Sequence, residues 1–585
     1  MGHPSFTQPE SRIAATAASR DVRSPARRLL LDAIVLGGLA DALLRQGFGV
    51  GLLIWTLALA LTFVFFVRRR GDRLTGEQKA WLATGLFFAA AFVLRDSEAL
   101  HFYDFLAILL AGALLGSISS KASPMRSVLG QRVRDLAQAW LRAMQTGFIG
   151  LVHAIRASAF GEGALGWREG RGRTVVRGAL LALPLLLVFG ALLSSADPMF
   201  GSLFSLPNID LGEVISHLII AGVVAWIVGG WLYGALMDER SVSRVREGLP
   251  ITLGSLDVTI MLGCLVALFG LFVGVQIGWL FGGERLVRST TGLSYAQYAR
   301  RGFFELVMVS LLVLPVLLGS RAAILKEDMA AIRRHRALSI PLLVLLGGVM
   351  ASALGRMALY VHYYGLSADR VFASVFMGWL ALVFVWFGLT VLRGRSHDFA
   401  AGMTITVFAT LAALNLVNPE AFVARVNVAR AHAALATADS VTATTADSVK
   451  KTAEADAPVD LAYLTYQLSG DAAAPLVDAL LASPTSPIGA RSRIAEVKAR
   501  CEAVRGLFRR WGTGKVDYEF WRHSRDWRLW NFGAWRAATA LRVHDRELRA
   551  VTCWDGSGEA PFGDREGRPA RPGEQWYAEK KADSH

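Results

Sequence analysis

The chain has 585 residues, 53% of them hydrophobic, and a formal charge of +15 from 62 Lys and Arg against 47 Asp and Glu. Its mean hydropathy is +0.40, and the apolar residues are gathered in runs close to the ~20 needed to cross a hydrocarbon core, which argues against a large soluble helical protein. The expectation is an all-α fold, a polytopic transmembrane helix bundle with a small extracytoplasmic helical C-terminal region, and the lipid bilayer is its first partner.

Residues 1–27 read as a disordered cytoplasmic tail. They lack an apolar core, so no cleavable signal peptide is expected. A membrane domain follows over 28–416, with eleven predicted spans at 28–45, 49–67, 79–94, 102–118, 176–195, 214–235, 256–282, 303–320, 338–357, 371–392 and 398–416. The first and fourth are the weakest, being short and carrying Asp32, Asp41 and Asp104.

Basic residues set the orientation. The tail, "RRRGDR" after the second span, the 121–177 segment with ten bases and three acids, "DERSVSRVR", "RAAILKEDMAAIRRHR" and "RGRSHD" are alternate connections rich in Lys or Arg. The intervening "SADPMFGSLFSLPNIDLGE" has acids and no base. The N-terminus is therefore expected in the cytoplasm and, with an odd number of spans, the C-terminus outside it. Segment 121–177, with Arg132, Arg134, Arg142 and Arg156 set among Leu, Trp, Phe and Ile, reads as helices at the cytoplasmic lipid interface. Loop 283–302 breaks the pattern by placing four arginines on the outer side.

Beyond the last span, 417–458 reads as a surface helix and a flexible Ala/Thr/Ser/Asp linker. Residues 459–555 read as a small helical extracytoplasmic domain, whose Trp527, Trp530 and Trp535 suit either a packed core or lipid headgroups. Residues 556–585 read as a disordered tail. From Glu420 onward there are 24 bases and 22 acids, so the positive excess belongs to the membrane part and its loops. Topology accounts for the charge, and no nucleic-acid partner is inferred. Cys264 reads as packing, while a bridge between Cys501 and Cys553 is permitted outside the cytoplasm but not required.

Ionisable residues within spans are candidates for function. Asp32, Asp41, Asp104 and Asp257 lie near span ends, where a structural role is the simpler reading. In "YAQYARRGFFELVMVSLLVLP", Glu305 lies one helical turn after Arg301, a spacing that allows an ion pair on one face. A second polar group, in "ALGRMALYVHYYGLSADRVFASVF", falls on the same side. Together they give a candidate cluster of Tyr295, Tyr298, Arg300, Arg301, Glu305, Arg356, Tyr360, His362 and Arg370, with Arg356 or Arg370 as a second partner for Glu305. Small residues at four-residue spacing, Gly270, Gly274 and Gly278 and also Gly347, Ala351 and Gly355, allow close helix crossing. No phosphate-binding loop, dinucleotide glycine pattern or Cys/His metal spacing is present, so no catalytic residue is assigned and neither cofactor nor metal is expected.

Four motifs in order, "YAQYARRGFFELVMVSLLVLPVLL", "GRMALYVHYYGLSADRVFASVFMGWLALVFVWF", "LNLVNPEAFVARVNVARA" and "DLAYLTYQLSGDAAAPL", resemble a bacterial integral membrane protein family catalogued as domain of unknown function 4173. The resemblance runs from about the fifth span to about residue 480. It implies an inner-membrane location, and it marks Tyr295, Tyr298, Arg300, Arg301, Gly302, Glu305, Arg356, Tyr360, Gly365, Leu366, Arg370, Asn418, Pro419, Asn427, Asp460, Tyr463, Leu464 and Asp471. Three functions remain open. One is a scaffold or signalling accessory of the cell envelope with a membrane or envelope protein partner. The others are a secondary transporter and a membrane-embedded envelope or lipid-modifying enzyme.

Overall fold

The computed structural model describes residues 28–117, 211–236, 252–291, 303–325, 327–440, 460–482, 493–512 and 526–549. Within them the chain is helical: α1 (28–44), α2 (Val50–Arg69), α3 (Gly76–Leu94), α4 (Glu98–Ser117), α5 (Leu211–Leu236), α6 (Ser255–Thr291), α7 (Phe303–Ala323), α8 (Met329–Tyr364), α9 (Ala368–Thr390) and α10 (Ser396–Val417). α11 (Pro419–Ser440) leads into α12 (Leu461–Tyr466), α13 (Ala473–Ala482), α14 (Arg493–Trp511), α15 (Phe532–Val543) and α16 (Asp545–Arg549). Eight of the described helices, α2 and α4 to α10, are long and apolar enough to span a bilayer. The protein is a polytopic, all-α transmembrane bundle. Helices occupy ten of the eleven segments read as spans. The remaining one, 176–195, lies outside the described residues, as do 121–177, the 441–459 part of the linker and both terminal tails.

Local sequence explains the helix ends. Thr75 and Gln78 form a reciprocal capping box at the start of α3. Asp328 caps α8 by accepting from Ala331 N at 2.9 Å. Asp257 accepts from Gly254 N at 2.9 Å, a local structural role at the start of α6. Between α10 and α11, Asn418 adopts φ 57° and its side chain accepts from Ala421 N at 3.2 Å. One residue thus ends one helix and starts the next, with Pro419 at the first helical position, where its missing N–H costs nothing.

The chain divides into two units, one of Met1–Ala90, Leu106–Pro124 and Gly130–Val242, the other of Ala91–Phe105, Met125–Leu129 and Ser243–His585. In the first, α1 and α5 run antiparallel. Gly37 lies against Ala221 and Ala225, and Gly229 meets Ala33. His217 Nδ1 is 2.5 Å from Asp41 Oδ2, and Arg45 donates to Ser216 Oγ at 2.7 Å. Asp41 thus has a cross-helix partner that its position in the sequence did not suggest.

In the second unit, α6 and α8 run parallel and share a core with α7 and α9, built on Leu262, Leu317, Leu342, Leu346, Leu380 and Phe387. His335 is buried in this bundle beside Ser320 Oγ at 3.1 Å and the Leu317 carbonyl at 3.2 Å. The small-residue stripes contribute less than expected. A Cβ at Gly274, Gly347 or Gly355 would meet nothing within 4 Å, and the close approach is made by Gly348, which faces Val273. Four-residue spacing defines a helix face but not which neighbour it meets.

The helices after α10 form a module with its own apolar core, including Val423, Leu464, Leu476, Val504, Leu507 and Leu541. α11, expected as a surface helix, buries Val423 and Ala424 in that core.

Candidate functional site

The densest set of polar contacts in the second unit lies where this module meets one end of the bundle. The turn between α3 and α4 supplies Arg95, Asp96 and Ser97. Asp96 Oδ2 accepts from Gly470 N at 2.8 Å, Asp96 Oδ1 accepts from Asn531 Nδ2 at 2.8 Å, and Asp96 N donates to Asp471 Oδ2 at 2.9 Å. Glu420, just past the Asn418-Pro419 helix junction, accepts from Ser97 Oγ and from Ser469 N, each at 2.5 Å. Arg95 Nε donates to the Asn415 carbonyl at 2.7 Å, so a cation sits at the negative end of α10.

Two glycines make the approach possible. A Cβ on Gly470 would lie 2.8 Å from Asp96 Oδ2, and one on Gly533 would lie 2.8 Å from Asp96 Cβ and 2.9 Å from Asp471 Oδ1. Arg510 donates to the carbonyls of Thr465 and Leu468 at 2.6 and 2.7 Å and stacks on Trp511 at 4.2 Å, closing the floor of the junction.

The turn between α8 and α9 is held by the same module. Asn427 brackets Leu366, its Oδ1 accepting from Leu366 N at 2.9 Å while its Nδ2 donates to Leu366 O at 2.7 Å. This reproduces the pairing of a β-ladder with a single side chain. Gly365 has φ +77°, and a Cβ there would stand 3.1 Å from Asn427 Oδ1. Arg430 donates to the carbonyls of Val361 and His362 at 2.7 and 2.6 Å, capping the last turn of α8. Ala368 N donates to the Tyr463 hydroxyl at 2.9 Å, and Asp460 caps α12 by accepting from Tyr463 N.

Burial sets the electrostatics. It pushes the Asp471 carboxyl up to about 6, against the pull of the Asp96 N–H and the Arg95 charge and with the help of neighbouring Asp96 and Glu420. Burial also raises Asp96, although the Asn531 and Gly470 hydrogen bonds oppose it. It raises Tyr463 and lowers Arg510.

The predicted cluster is only partly assembled. Tyr295, Tyr298, Arg300 and Arg301 lie outside the described residues, and so does the proposed Arg301 contact. Glu305 is exposed in the first turn of α7, and among the described residues no ion pair reaches it. The suggested second partners are engaged elsewhere. Arg356 donates to Gln276 Oε1 at 3.3 Å, while Arg370 donates to the Gly365 carbonyl and lies 4.0 Å over the Tyr360 ring. The carbonyls at the end of α8 carry partial negative charge, so they compete with a carboxylate for Arg370. Of the cluster, Arg370 and Tyr360 are in contact beside the Gly365 turn, while His362 contributes its backbone carbonyl to Arg430.

Sequence reasoning missed Asp96, Ser97, Glu420, Arg430 and Asn531. Glu420 directly follows the Asn-Pro pair, a local signal that marks a constrained turn, whereas the three-residue turn that holds Asp96 emerges only from the structure, since the predicted spans leave 95–101 between them. The pairing across 375 residues that joins Asp96 to Asp471 has no local signature. Below the junction, Asp104 is fully buried and accepts from Asn415 Nδ2 at 2.7 Å, so it is part of the helix packing rather than a residue reaching the interface.

A family model for the domain of unknown function DUF4153 matches residues 82–479. The chain belongs to that family. This corrects the expected membership of family 4173. The positions carried over from that resemblance lose its warrant. For Gly365, Leu366, Asn418, Pro419, Asn427, Asp460, Tyr463, Leu464 and Asp471 the geometry supplies another, since each shapes a turn, a cap or the module's attachment. The match covers the bundle end and the first half of the junction, while Asn531 and Gly533 lie beyond it. No curated protein and no solved structure matches the chain.

Proposed function

We propose that this DUF4153 protein is a scaffold or signalling accessory of the cell envelope, set in the bacterial inner membrane with its N-terminus cytoplasmic and its C-terminal module outside. The observation that carries the reading is the junction. Asp96, Glu420 and Asp471 direct their oxygens to backbone N–H, hydroxyl and amide donors that fix the module on the bundle. Groups that a reaction would need free are engaged in positioning, which suits a presented platform. Alternation of basic connections supports the orientation.

Two experiments test the reading. Alkaline phosphatase fused after residue 416 should be active and a fusion at residue 160 silent; a silent fusion at 416 overturns the orientation. Photo-crosslinkers placed at exposed module positions in intact cells should trap one membrane or envelope protein from a contiguous face. A secondary transporter is the second reading, favoured by the buried Asp104–Asn415 pair within the spans. No crosslink from any face, together with proton-gradient-driven uptake into proteoliposomes, would replace the first reading with the second.

A further inference from the structure

One feature of the module lies outside the junction. Trp527, Trp530, Phe532 and Trp535 fall within nine residues, are 59%, 41%, 38% and 45% exposed, and so turn large apolar surfaces away from the module's core. The opposite face of α15 is the packed one, through Gly533, Ala537, Ala538 and Leu541. Phe532 and Trp535 stack on each other at 5.4 Å. Exposed Arg536 and Arg542 accompany them on the helix. Aromatic rings with a polar edge beside cationic side chains match the chemistry of a lipid headgroup layer.

Their height relative to the bilayer follows from one hydrogen bond. Asn531, between Trp530 and Phe532, donates to Asp96 at 2.8 Å while its Oδ1 caps α15 through Ala534 N. Asp96 lies two residues after Leu94, the end of α3, and two before Glu98, the start of α4. α4 has 20 residues, about 30 Å of helix, which leaves no length to spare across a hydrocarbon core of the same thickness. Glu98 must therefore stand at the boundary of that core. Two residues of chain reach at most about 7 Å, and the headgroup layer is itself roughly 5–8 Å deep. In the first turns of α4, Phe102 is 61% exposed.

We propose that this aromatic rim is a lipid-docking surface, seated in the headgroup layer of the membrane that the bundle spans, so that the module is held by the bilayer as well as by the junction. The occupant is the host bilayer itself, because Asn531 ties the rim to the turn that opens α4 and the exposed charges on the rim's helix, Arg536 and Arg542, are cationic. The inference holds whichever side of the membrane the module occupies.

The test uses the full chain in nanodiscs of phosphatidylethanolamine and phosphatidylglycerol containing lipids brominated near the headgroup. The fluorescence difference between the wild type and Trp527→Phe/Trp530→Phe/Trp535→Phe isolates the rim. That difference should be quenched by the brominated lipid and resist aqueous iodide. Hydroxyl-radical labelling of the wild type gives a measurement independent of whether the variant folds. Trp535 should be oxidised within roughly threefold of Trp226, a comparably exposed residue inside a span. A difference signal reached by iodide and not by bromine, with Trp535 oxidised more than about tenfold faster than Trp226, would overturn the proposal. Protection that appears only when two chains share a nanodisc would overturn it too, assigning the rim to a second copy.

Discussion

The bundle core of α6 to α9 and the junction beneath the module are held together by different physics. In the core, Leu262, Leu317, Leu342, Leu380 and Phe387 interdigitate, and the few polar groups, such as His335 with Ser320, form short local bonds. Lipid tails are as apolar as leucine, so this packing rests on shape and dispersion more than on escape from solvent. At the junction, turns at 95–97 and 365–367 and the end of α10 leave backbone N–H and C=O groups without helical partners. Carboxylates, Asn427, Arg95 and Arg430 satisfy them. The comparison teaches that apolar substitutions should be tolerated in the core if volume is kept, whereas at the junction isosteric polar changes should already matter.

The largest effect is expected from Gly533→Leu, because the added side chain meets Asp96 and Asp471 at under 3 Å and the neighbouring Asp96 backbone cannot yield. Undocking should follow, at a cost of about 3–5 kcal/mol. Limited proteolysis of purified protein should then release the module while the spans stay protected; an unchanged digestion pattern would mean the junction is not what holds it. Leu342→Met in the core provides the contrast and should cost under about 1.5 kcal/mol.

Next is Asn427→Leu, which removes both bonds to Leu366 and leaves a half-buried turn unsatisfied, for a loss of about 2–3 kcal/mol. Asn427→Asp keeps the acceptor and loses the donor, so it should fall between the wild type and Leu in thermal aggregation midpoint. Equal midpoints for Asp and Leu would show that the two bonds do not act separately.

A smaller effect concerns pH. Burial pushes the folded Asp471 carboxyl up to about 6, above its ordinary value of 3.8. Its protonated form therefore favours the docked state. That stability is fully present below 3.8 and is lost as pH rises through about 6, on the order of 1–2 kcal/mol after allowing for partial relaxation. Module docking should be firmer at pH 5 than at pH 7.5. Asp471→Asn should reduce this dependence, with buried Asp96 supplying the residual slope in the same direction. A slope of opposite sign would refute the assignment.

The smallest effect is expected at Glu305. Exposed and without an ion pair among the described residues, it should lose under about 0.5 kcal/mol as Glu305→Gln. Asp41→Asn, which weakens the contact with His217 at 2.5 Å, should cost more. The reverse order in melting of the solubilised protein would restore Glu305 to the centre of the molecule.

Spans were legible in the sequence because hydrocarbon imposes a length and a composition on each segment independently of its neighbours. The end of the last span belongs to the same class, since Asn418 and Pro419 act on backbone groups within three or four residues, whereas the start of α8, capped by Asp328, falls in a stretch read as a connection. Family membership was harder to place, because apolar spans look alike between families and the short motifs that separate them are few.

What only the tertiary structure decided is which polar residues meet. Asp96 and Asp471 are 375 positions apart, and Leu366 and Asn427 are 61 apart. Glu305 and Arg301 were paired on spacing, which reports a shared helix face, whereas Arg356 and Arg370 settled on Gln276, Gly365 and Tyr360. Apolar burial depends on composition summed along a helix and survives many arrangements. A hydrogen bond depends on two atoms within about 3 Å and a direction, and that relation does not exist until the chain has folded around it.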